Sequence, residues 1–316
     1  MVDDQVFEPA YLALLHSGEL KDRVAQAYER IRACDLCGHA CGIDRRETVG
    51  VCNTGVQAVV ASYHPHLGEE DPLRGWRGSG TIFFSWCNLH CQFCQNYDIS
   101  QQGQGREVEP EDLAVMMLAL QEQGCHNINL VSPTHVVAPI LAALLIASQS
   151  GLRLPLVWNT GGYDSQAALA LLNGVVDIYM PDMKYADETA GLTYSKAKKY
   201  PQVNQAAVTE MHRQVGDLVL DGQGIAQRGL LVRHLVLPEG LAGTPEIARF
   251  LAENVSKDTY VNIMDQYRPC YEADDLPPLD RPTSRAEHRQ AVQQARDAGL
   301  HRFDKRELRV LQIRGV

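Results

Sequence analysis

The sequence lacks an excess of basic residues. Its 29 Lys and Arg stand against 39 Asp and Glu, which gives a formal net charge of −10. Because neutralising phosphates requires clustered Lys and Arg, this balance argues against a nucleic-acid binder. The densest basic stretch, YSKAKKY at 194–200, is short and is typical of a solvated helix face.

Long apolar runs are missing as well. The run VVAPILAALLIASQSG at 136–151 is shorter than a membrane-spanning helix and ends in polar residues. The first residues, MVDDQVFEPAYLALL, are acidic, whereas a secretory signal begins with basic residues. We therefore expect a cytoplasmic protein with no membrane association. Its 316 residues, 45% hydrophobic and 22% charged, suffice for one large α/β barrel or two ordinary domains.

Cysteine, in contrast, is abundant. The chain has nine cysteines, and seven of them lie between positions 34 and 94. Reducing compartments do not sustain structural disulfides, so this number is unexpected for a cytoplasmic protein. Metal ligation is the better interpretation of the clustered thiols.

From about residue 80 onward, β-rich runs alternate with helical patterns. The predicted strands are 80–86, 127–133, 154–160, 175–185, 229–238 and 259–267. The predicted helical segments between them are 110–124, 136–151, 165–174, about 187–216 and 244–255. Such alternation predicts a parallel sheet curled into a barrel or part of one. A doubly wound open sheet fits the same alternation, although GWRGSG at 75–80 precedes a strand and so is no dinucleotide fingerprint.

Polar residues at the strand ends favour the barrel. Cys87 follows the first predicted strand, and the motifs SPTH, NTGG and PDMK end the next three. Barrel active sites are assembled from such carboxyl-terminal strand ends. We therefore predict three parts: an N-terminal helix and four-cysteine module at 1–78, a barrel core at 79–270, and a C-terminal extension at 271–316 that packs on the barrel. The extension contains an amphipathic helix, SRAEHRQAVQQARDAGL, and a possible edge strand, ELRVLQI at 307–313.

Three cysteines lie in the loop SWCNLHCQFCQN at 85–96, with the spacing Cys87-x3-Cys91-x2-Cys94. A disulfide cluster, a zinc site and an iron–sulfur cluster are the alternatives. Zinc usually takes four tetrahedral ligands, and three thiolates leave it one short. A cubane cluster also normally takes four cysteines, so three imply one iron open to a substrate or cofactor.

This loop resembles that of the radical S-adenosylmethionine superfamily, in which three cysteines hold a [4Fe–4S] cluster and the fourth iron chelates S-adenosylmethionine. Six segments, in order, resemble a branch similar to pyruvate formate-lyase activating enzyme: GTIFFSWCNLHCQFCQNYDIS, NINLVSPTH, WNTGGYDS, VDIYMPDMKY, GLLVRHLVLP and VNIMDQY. The N-terminal CDLCGHACGIDRRETVGVCNTG is also characteristic of that branch. The resemblance implies an α/β fold with a partial (β/α)6 TIM-like barrel. It also implies reductive cleavage of S-adenosylmethionine to methionine and a 5′-deoxyadenosyl radical.

The resemblance further implies cofactor-binding residues in the cluster loop and at four strand ends: Phe93, Ser132, Thr134, Asn159, Thr160, Asp182, Lys184 and Arg233. Phe93 matches an aromatic position beside the adenine. Ser132 and Thr134 stand where relatives carry a glycine-rich motif, so the chain departs from the pattern there.

The polar strand-end residues have a simpler interpretation too. Asn159 and Thr160 match a polar pair near the cofactor, and Asp182 and Lys184 match an acid–base pair near its carboxylate and ribose end. Arg233 reaches the same region in the activating enzymes. From the pattern alone, the charged residues are equally well explained as salt bridges at the barrel rim.

A second cysteine group, Cys34-x2-Cys37-x3-Cys41-x10-Cys52, supplies four possible thiolates. Four soft ligands suit tetrahedral zinc or an iron–sulfur cluster, and a structural site would stabilise a module with little core of its own. An auxiliary cluster that relays electrons or binds substrate, and four unligated core thiols, are the alternatives. His39 could replace one cysteine, although a surface position is the simpler expectation for it.

The remaining candidate functional residues lie outside the two cysteine groups and the strand-end motifs just described. We expect Cys125 to be a packing residue at a helix end and Cys270 a loop thiol. His135 follows SPT and could line the cavity, although a lone histidine is more often a hydrogen-bonded structural residue. Asp265, Gln266 and Tyr267 end the sixth strand and either contact substrate or close the sheet. In YHPHLGEEDPL at 63–73, two histidines and two glutamates could ligate a metal, but prolines predict an exposed loop.

Two functions follow from these patterns. The first is a radical S-adenosylmethionine oxidoreductase that abstracts hydrogen from a protein, peptide or small-molecule substrate, with a flavodoxin- or ferredoxin-type reductant. Activation of a glycyl-radical enzyme is one form of it. The second is a non-catalytic iron–sulfur protein that transfers electrons or senses redox state. Polar residues at four further strand ends favour the enzyme, because an electron carrier would not need them.

Overall fold

The computed structural model describes residues 7–304. Its N-terminal region contains α1 (Tyr11–Ser17), α2 (Glu19–Arg30), strand β1 (Ala58–His66), a short helix α3 (Asp71–Arg74) and β2 (Ser79–Phe84). The exposed-loop interpretation of 63–73 is wrong for its first part, because β1 pairs antiparallel with β2 from Val60 to His66. Proline lacks a backbone N–H, yet Pro65 is tolerated in β1. The strand β3, on the other side of β1 from β2, pairs only with residues 58–60, so no hydrogen bond to β3 is lost at Pro65.

The predicted strands and helices of the core are confirmed. After α4 (Tyr97–Ser100) and β3 (Arg106–Val108) come α5 (Pro110–Glu122), β4 (Ile128–Val131), α6 (Val137–Gln149), β5 (Leu156–Thr160), α7 (Gln166–Leu172), β6 (Ile178–Pro181), α8 (Glu188–Ser195), α9 (Tyr200–Val215), β7 (Val219–Leu220), β8 (Ala226–Leu235), α10 (Thr244–Phe250), β9 (Tyr260–Met264), α11 (Arg285–Asp297) and β10 (Arg302–Phe303). The helical region predicted at about 187–216 divides into α8 and α9. Between them, Lys196 and Lys199 have positive φ angles of 55° and 52°, which end one helix and begin the other.

The strands form one open sheet in the order β10-β9-β8-β6-β5-β4-β2-β1-β3, with β7 paired to β8. The strands β2, β4, β5, β6, β8, β9 and β10 are parallel, and β1 and β3 are antiparallel additions at one end. Because the path ends at β10 and β3 and does not return on itself, the sheet is a partial barrel. The predicted fold class is confirmed.

Alternating residues divide between the two faces of the sheet. Ile82, Leu130 and Trp158 point into the main core, which the helices cover. On the inner face, Val157, Met180 and Leu231 pack around Leu73 of α3. The N-terminal segment therefore fills the inside of the partial barrel at one end and leaves the carboxyl-terminal strand ends free for a site.

The three-part domain division stays a prediction, and the pairing of β1 with β2 crosses its first boundary. The predicted C-terminal amphipathic helix is present as α11, whose Ser284 and Glu287 form a capping box. The possible edge strand at 307–313 lies outside the described residues. Within residues 7–304, no helix combines the length and apolarity needed to cross a membrane.

Candidate active site

A cavity of about 190 Å³ opens at the carboxyl-terminal ends of the parallel strands. One water needs only about 10–15 Å³ by the same kind of measure, so the cavity has room for a ligand. Nine residues singled out from the sequence line it: Cys87, Cys91, Cys94, Ser132, Asn159, Thr160, Asp182, Lys184 and Arg233. The structure thus brings together residues that are up to 146 positions apart, from Cys87 to Arg233.

Two backbone turns shape the entrance to this cavity. Trp86, directly before Cys87, has a φ of +64°, and Ser132, directly after β4, has a φ of +57°. Left-handed conformations are strained for residues with a Cβ, and they concentrate at functional sites. At Trp86 the chain turns sharply out of β2. Backbone bonds from His90 and Gln92 to the end of α8 hold the cysteine loop that follows.

Each sulfur of the three-cysteine loop has a hydrogen-bond donor beside it. The amide of Leu89 lies 3.4 Å from Cys87 Sγ, Ser195 Oγ lies 3.0 Å from Cys91 Sγ, and Ser100 Oγ lies 3.1 Å from Cys94 Sγ. Hydrogen bonds to sulfur stabilise thiolate character and tune a bound cluster. Neither serine was predicted: Ser100 ends the short helix α4 after the loop, and Ser195 ends α8, far from the loop in sequence.

Burial governs the protonation of Cys87 and Cys91. It raises the pKa of Cys87 to about 12 and that of Cys91 above its usual range, while Lys184 acts in the opposite direction on both. The charges of Cys91 and Cys94 raise the pKa of Cys87 further. Metal binding would therefore displace protons from Cys87 and Cys91.

Among the described residues, no three His, Cys, Asp or Glu side chains converge on one point as a single metal ion requires. A cubane cluster makes a different demand, because each cysteine binds a different iron around an extended core. Three thiols that face one cavity, each with a donor at its sulfur, fit that demand.

Opposite the thiols, Asp182 lies between two cations. Lys184 Nζ is 2.6 Å from Asp182 Oδ2, and Arg233 Nε donates to Asp182 Oδ1 over 2.9 Å. Arg233 Nη2 also donates to Asn159 Oδ1 over 2.7 Å. Burial by itself raises the pKa of Asp182, but Arg233 and Lys184 together outweigh it, so the pKa lies below its ordinary value. The Asp182 carboxylate is thus ionised, and Glu69, 4.0 Å from Arg233 Nη1, places a second acidic side chain beside these cations.

Beneath the cavity, the carboxylate of Asp164 accepts three hydrogen bonds, a network that the sequence did not predict. It accepts from Thr134 Oγ1 at 2.8 Å, Thr160 Oγ1 at 2.6 Å and Trp158 Nε1 at 3.1 Å. Burial raises the pKa of Asp164, and its three donors counteract that effect. Thr134 is buried here and is not among the lining residues, so its predicted contact with a cofactor stays a prediction.

Phe93 is likewise not a lining residue of the cavity. Its ring packs edge-on against Tyr267, with 5.7 Å between centroids, and against Tyr185 at 6.5 Å. The adenine contact predicted for Phe93 stays a prediction. Tyr267 is buried and donates to Leu279 O over 2.6 Å, so it ties the segment after β9 to this aromatic cluster. Gln266 offers its carbonyl to Gln95 Nε2 of the cysteine loop.

Two glutamates predicted to lie in an exposed loop are inside the molecule, which corrects that expectation. Glu70 is 2% exposed and accepts from Asn262 Nδ2 over 2.8 Å. Glu69 Oε2 lies 4.0 Å from Arg233 Nη1. Burial raises the pKa of Glu69 to about 7; Arg233 counteracts this and Glu70 adds to it. The short helix α3 causes the difference, because it carries this segment onto the inner face of the sheet. His64, as expected, is exposed.

The second cysteine group packs directly against the site. Cys34, Cys37 and Cys52 are buried, and Cys41 is half-buried. Burial raises the pKa of Cys37 to about 12; the amide of His39 lowers it, and the other three thiols of the group raise it further, so the four are neighbours. The backbone of this module bonds to the barrel where the amide of Gly38 donates to Tyr163 O over 3.0 Å.

His135 proves to be structural in its contacts. It is buried, burial lowers its pKa to about 4, and its Nε2 lies 3.0 Å from Ser85 O. It is not among the residues that line the cavity. Cys125 is buried just after α5, as expected for a packing residue, and Cys270 is half-buried in a loop.

Comparison with known proteins gives a family for this arrangement. The Radical SAM superfamily matches residues 81–221, which include the three-cysteine loop, β4, β5 and β6. A relative from Methanocaldococcus jannaschii, the uncharacterized protein MJ0674, is 30% identical over 288 residues. That similarity covers 88% of this chain and 78% of the relative.

Solved structures to which the chain is similar include Streptococcus suis SuiB bound to the precursor peptide SuiA. It has a TM-score of 0.45 and 13% identity over 69% of this chain. The matched part is 46% of SuiB, so this chain spans less than half of that protein. TYW1 with a lysine-pyruvate adduct has a TM-score of 0.43 and 10% identity, covering 69% of this chain and 73% of TYW1.

Proposed function

The chain belongs to the radical SAM superfamily, and from that premise we propose that it is an enzyme that reductively cleaves S-adenosylmethionine in the cavity at the strand ends. One observation carries the proposal. Three thiols, each with a hydrogen-bond donor at its sulfur, face the same cavity as a buried group of polar and charged strand-end residues.

A [4Fe–4S] cluster bound by Cys87, Cys91 and Cys94 would have one iron free of protein ligands, and it supplies the electron that splits the sulfonium into methionine and a 5′-deoxyadenosyl radical. The protein holds the three thiols in a loop fixed at both ends. The amide of Leu89 donates to Cys87 Sγ, and the hydroxyls of Ser100 and Ser195 would donate to Cys94 and Cys91 once these are thiolates, so the three groups set the electronic environment of the site.

The wall opposite the thiols suits a zwitterionic amino acid end. Lys184 and Arg233 carry two positive charges and Asp182 one negative charge, while Glu69 beside Arg233 has a pKa of about 7 and is only partly ionised at neutral pH. The wall therefore keeps positive charge for a ligand carboxylate at and below neutral pH. The side chains of Asp182 and Arg233 are 14% and 19% exposed, which limits screening by water. Asn159, Thr160 and Ser132 add polar groups for orientation.

An aromatic cluster packs behind Leu89, which lines the cavity. Phe93, Tyr185 and Tyr267 of this cluster are each at most 5% exposed, so they close this side of the cavity to water from behind. A carbon radical abstracts the nearest available hydrogen, so a rigid wall that excludes water and mobile groups protects the intended reaction.

We further propose that the protein belongs to the branch similar to pyruvate formate-lyase activating enzyme, on the strength of its ordered strand-end motifs. Its substrate is then a protein, a peptide or a small molecule, with a glycyl-radical enzyme as one protein candidate. A flavodoxin- or ferredoxin-type protein serves as reductant. Nine free cysteines within the described chain suit a reducing, cytoplasmic location.

The test is anaerobic reconstitution with iron and sulfide, reduction with dithionite, and chromatography for 5′-deoxyadenosine after S-adenosylmethionine is added. We expect 5′-deoxyadenosine from the wild type and from Cys125→Ala, whose thiol belongs to neither cysteine group. We expect none from Cys91→Ala. An intact, reducible cluster that produces no 5′-deoxyadenosine would contradict the proposal and favour the electron-transfer or redox-sensing alternative.

A second measurement addresses the substrate class. If the partner is a glycyl-radical enzyme, its reaction with the reduced protein and S-adenosylmethionine yields a stable radical signal by electron paramagnetic resonance in the partner. A peptide or small-molecule substrate gives product without that lasting signal.

A further inference from the structure

Three exposed lysines, Lys196, Lys198 and Lys199, lie between α8 and α9, and we call them the lysine turn. The helix-face interpretation of this basic stretch is wrong for these residues, because 196–199 lie outside both helices. Within residues 7–304, none of the three lysines forms a salt bridge with a carboxylate. The chain as a whole is acidic, with a formal net charge of −10, so the lysine turn is a local exception.

Folding by itself explains only one of these charges. Lys196 ends α8, where a cation is favourable beside the last carbonyls, and its Nζ donates to Thr193 O over 3.0 Å. Lys199 lies directly before α9, and no acidic residue is present in the first turn of that helix. Cations at the start of a helix oppose the helix dipole, so Lys198 and Lys199 stand against the electrostatics of α9.

The backbone of the lysine turn points the same way. Lys196 has a φ of +55° and Lys199 a φ of +52°. Glycine adopts this left-handed conformation without a steric penalty and is the usual residue where a helix ends. Strained residues with a side chain concentrate at functional sites, so the two lysine side chains call for a function.

The lysine turn is fixed to the three-cysteine loop. Ser195, directly before Lys196, has its hydroxyl 3.0 Å from Cys91 Sγ, and its carbonyl accepts from the amide of His90 over 3.0 Å. Within the turn, Ala197 is fully buried in the same apolar cluster as Cys91. Since consecutive Cα atoms are about 3.8 Å apart, the exposed lysines begin one residue away from a contact to a cluster ligand.

The lysine turn does not belong to the cavity. Cys91 lines the cavity, but neither Ser195 nor any of residues 196–199 does. A partner bound to the lysine turn therefore approaches Cys91 through Ser195 and leaves the cavity to S-adenosylmethionine and the substrate. This position suits a partner that delivers an electron, and it does not suit one that presents a substrate.

We propose that the lysine turn is the docking surface for a small acidic protein that donates one electron to the cluster at the three-cysteine loop. The inference rests on the proposed function and adds the place where the reductant binds. The reduced centre of the donor loses one electron, which passes to the oxidised cluster, and no bond is made or broken. A chain of net charge −10 repels acidic proteins in general, so a local group of cations is what selects and orients such a donor.

The first test measures binding to the metal-free protein, so its result is independent of S-adenosylmethionine cleavage. The probe is oxidised flavodoxin, a small acidic flavoprotein, titrated by calorimetry at about 20 mM and about 500 mM salt. The variant combines Lys196→Gln, Lys198→Gln and Lys199→Gln. We expect it to bind flavodoxin at least about 10-fold more weakly than the wild type at low salt. At high salt, where the charges are screened, the two proteins should differ by less than about twofold.

A matched control removes the same charge elsewhere. It combines Lys21→Gln, Lys257→Gln and Arg289→Gln, at exposed positions on α2, in the turn before β9 and on α11. This variant should bind flavodoxin within about twofold of the wild type at low salt. Equal weakening by both triple variants would show that only the net charge matters and would overturn the proposal. Absence of salt-sensitive binding to the wild type would overturn it as well.

The second test follows the electron in the reconstituted protein. Loss of visible absorbance is timed after rapid mixing with flavodoxin hydroquinone and, separately, during photoreduction with deazaflavin, a small reductant that needs no docking surface. We expect the lysine variant to be reduced about 10-fold or more slowly than the wild type by flavodoxin, and at the same rate by deazaflavin.

The outcomes separate this inference from the proposed function. Equal rates with flavodoxin, or a lysine variant that is slower with both reductants, would overturn the docking surface. If the lysine variant is slow with flavodoxin alone and the wild type forms no 5′-deoxyadenosine with either reductant, the docking surface stands and the proposed enzyme function fails.

Discussion

Arg233 and Asp182 link two parallel strand ends in the site: Arg233 Nε donates to Asp182 Oδ1 over 2.9 Å, and the other carboxylate oxygen is 2.6 Å from Lys184 Nζ. One carboxylate thus serves two cations. Arg233 Nη2 also donates a hydrogen bond to Asn159 Oδ1. The bond therefore joins β8 to β6, and through Asn159 to β5, so the charged wall behaves as one unit.

Asp182→Asn should break the two ion pairs that Asp182 makes with Lys184 and Arg233. The substitution keeps the shape and one oxygen but leaves Lys184 without its anion and Arg233 with only Glu69, at 4.0 Å, so we expect a loss of roughly 2 to 4 kcal/mol in the free energy of unfolding. Urea denaturation measures it. Asp280→Asn, at an exposed position, is the control and should change stability by less than about 0.5 kcal/mol. If Asp182→Asn and Asp280→Asn changed stability equally, the ion pairs of Asp182 with Lys184 and Arg233 would contribute no net stabilisation.

Cys91→Ala should abolish cluster binding at the three-cysteine loop. Cys91 faces the cavity and has the Ser195 hydroxyl at its sulfur, so its removal takes away both a ligand and the group that this hydroxyl serves. Iron content and visible absorbance after anaerobic reconstitution measure the loss. Cys125→Ala, which removes a buried thiol elsewhere, should keep both. Unchanged iron and absorbance in Cys91→Ala would refute the ligand assignment.

Ser132 should tolerate glycine but not valine. At a φ of +57°, a residue with a Cβ pays about 1–2 kcal/mol relative to glycine, while glycine adds about 0.5–1 kcal/mol of chain entropy. We expect Ser132→Gly to stay within about 1 kcal/mol of the wild type in chemical denaturation. Ser132→Val, β-branched in a left-handed conformation, should lose about 1–3 kcal/mol. If valine were as stable as glycine, the turn after β4 would not be left-handed in solution.

Glu69→Gln should change how stability depends on pH. The pKa of Glu69 is raised from 4.5 to about 7, so the folded state favours the protonated form. Its stabilising contribution is complete below pH 4.5 and is lost as pH rises through 7. A glutamine side chain does not ionise, so the variant should gain roughly 1 to 3 kcal/mol on the wild type between about pH 5 and pH 8.

The control for this pH series is Glu107→Gln, at an exposed position of β3. Its difference from the wild type should stay flat across the same range. Denaturation at several pH values distinguishes the two variants. The stability difference between Glu69→Gln and the wild type could also prove independent of pH. The carboxyl of Glu69 would then be ionised throughout this range, with Arg233 and Asn129 outweighing burial and the opposing effect of Glu70.

Much of the barrel follows from sequence because its signals are local. The strand at Leu156–Thr160 is continuously apolar until its polar end, and the helix at Pro110–Glu122 starts at a proline. The strand β1 was missed because Pro65 is a strand breaker unless one side of the strand is unpaired, and pairing is a property of the sheet.

The site was predicted in part for the same reason. Cys87, Asn159 and Asp182 each end a strand, so their meeting follows once the strands are parallel. Ser195 and Glu69 carry no such signal, because their positions depend on how α8 and α3 pack.

The donors at the three sulfurs come from separate parts of the chain: Leu89 from the loop itself, Ser100 from the short helix after it, and Ser195 from the end of α8. A chain that ends at Cys94 therefore contains only the donor from Leu89. The donors at Cys94 and Cys91 are complete only once the chain extends to Ser195 and α8 packs on the loop. The environment of all three sulfurs is thus a product of the folded barrel and not of the loop alone.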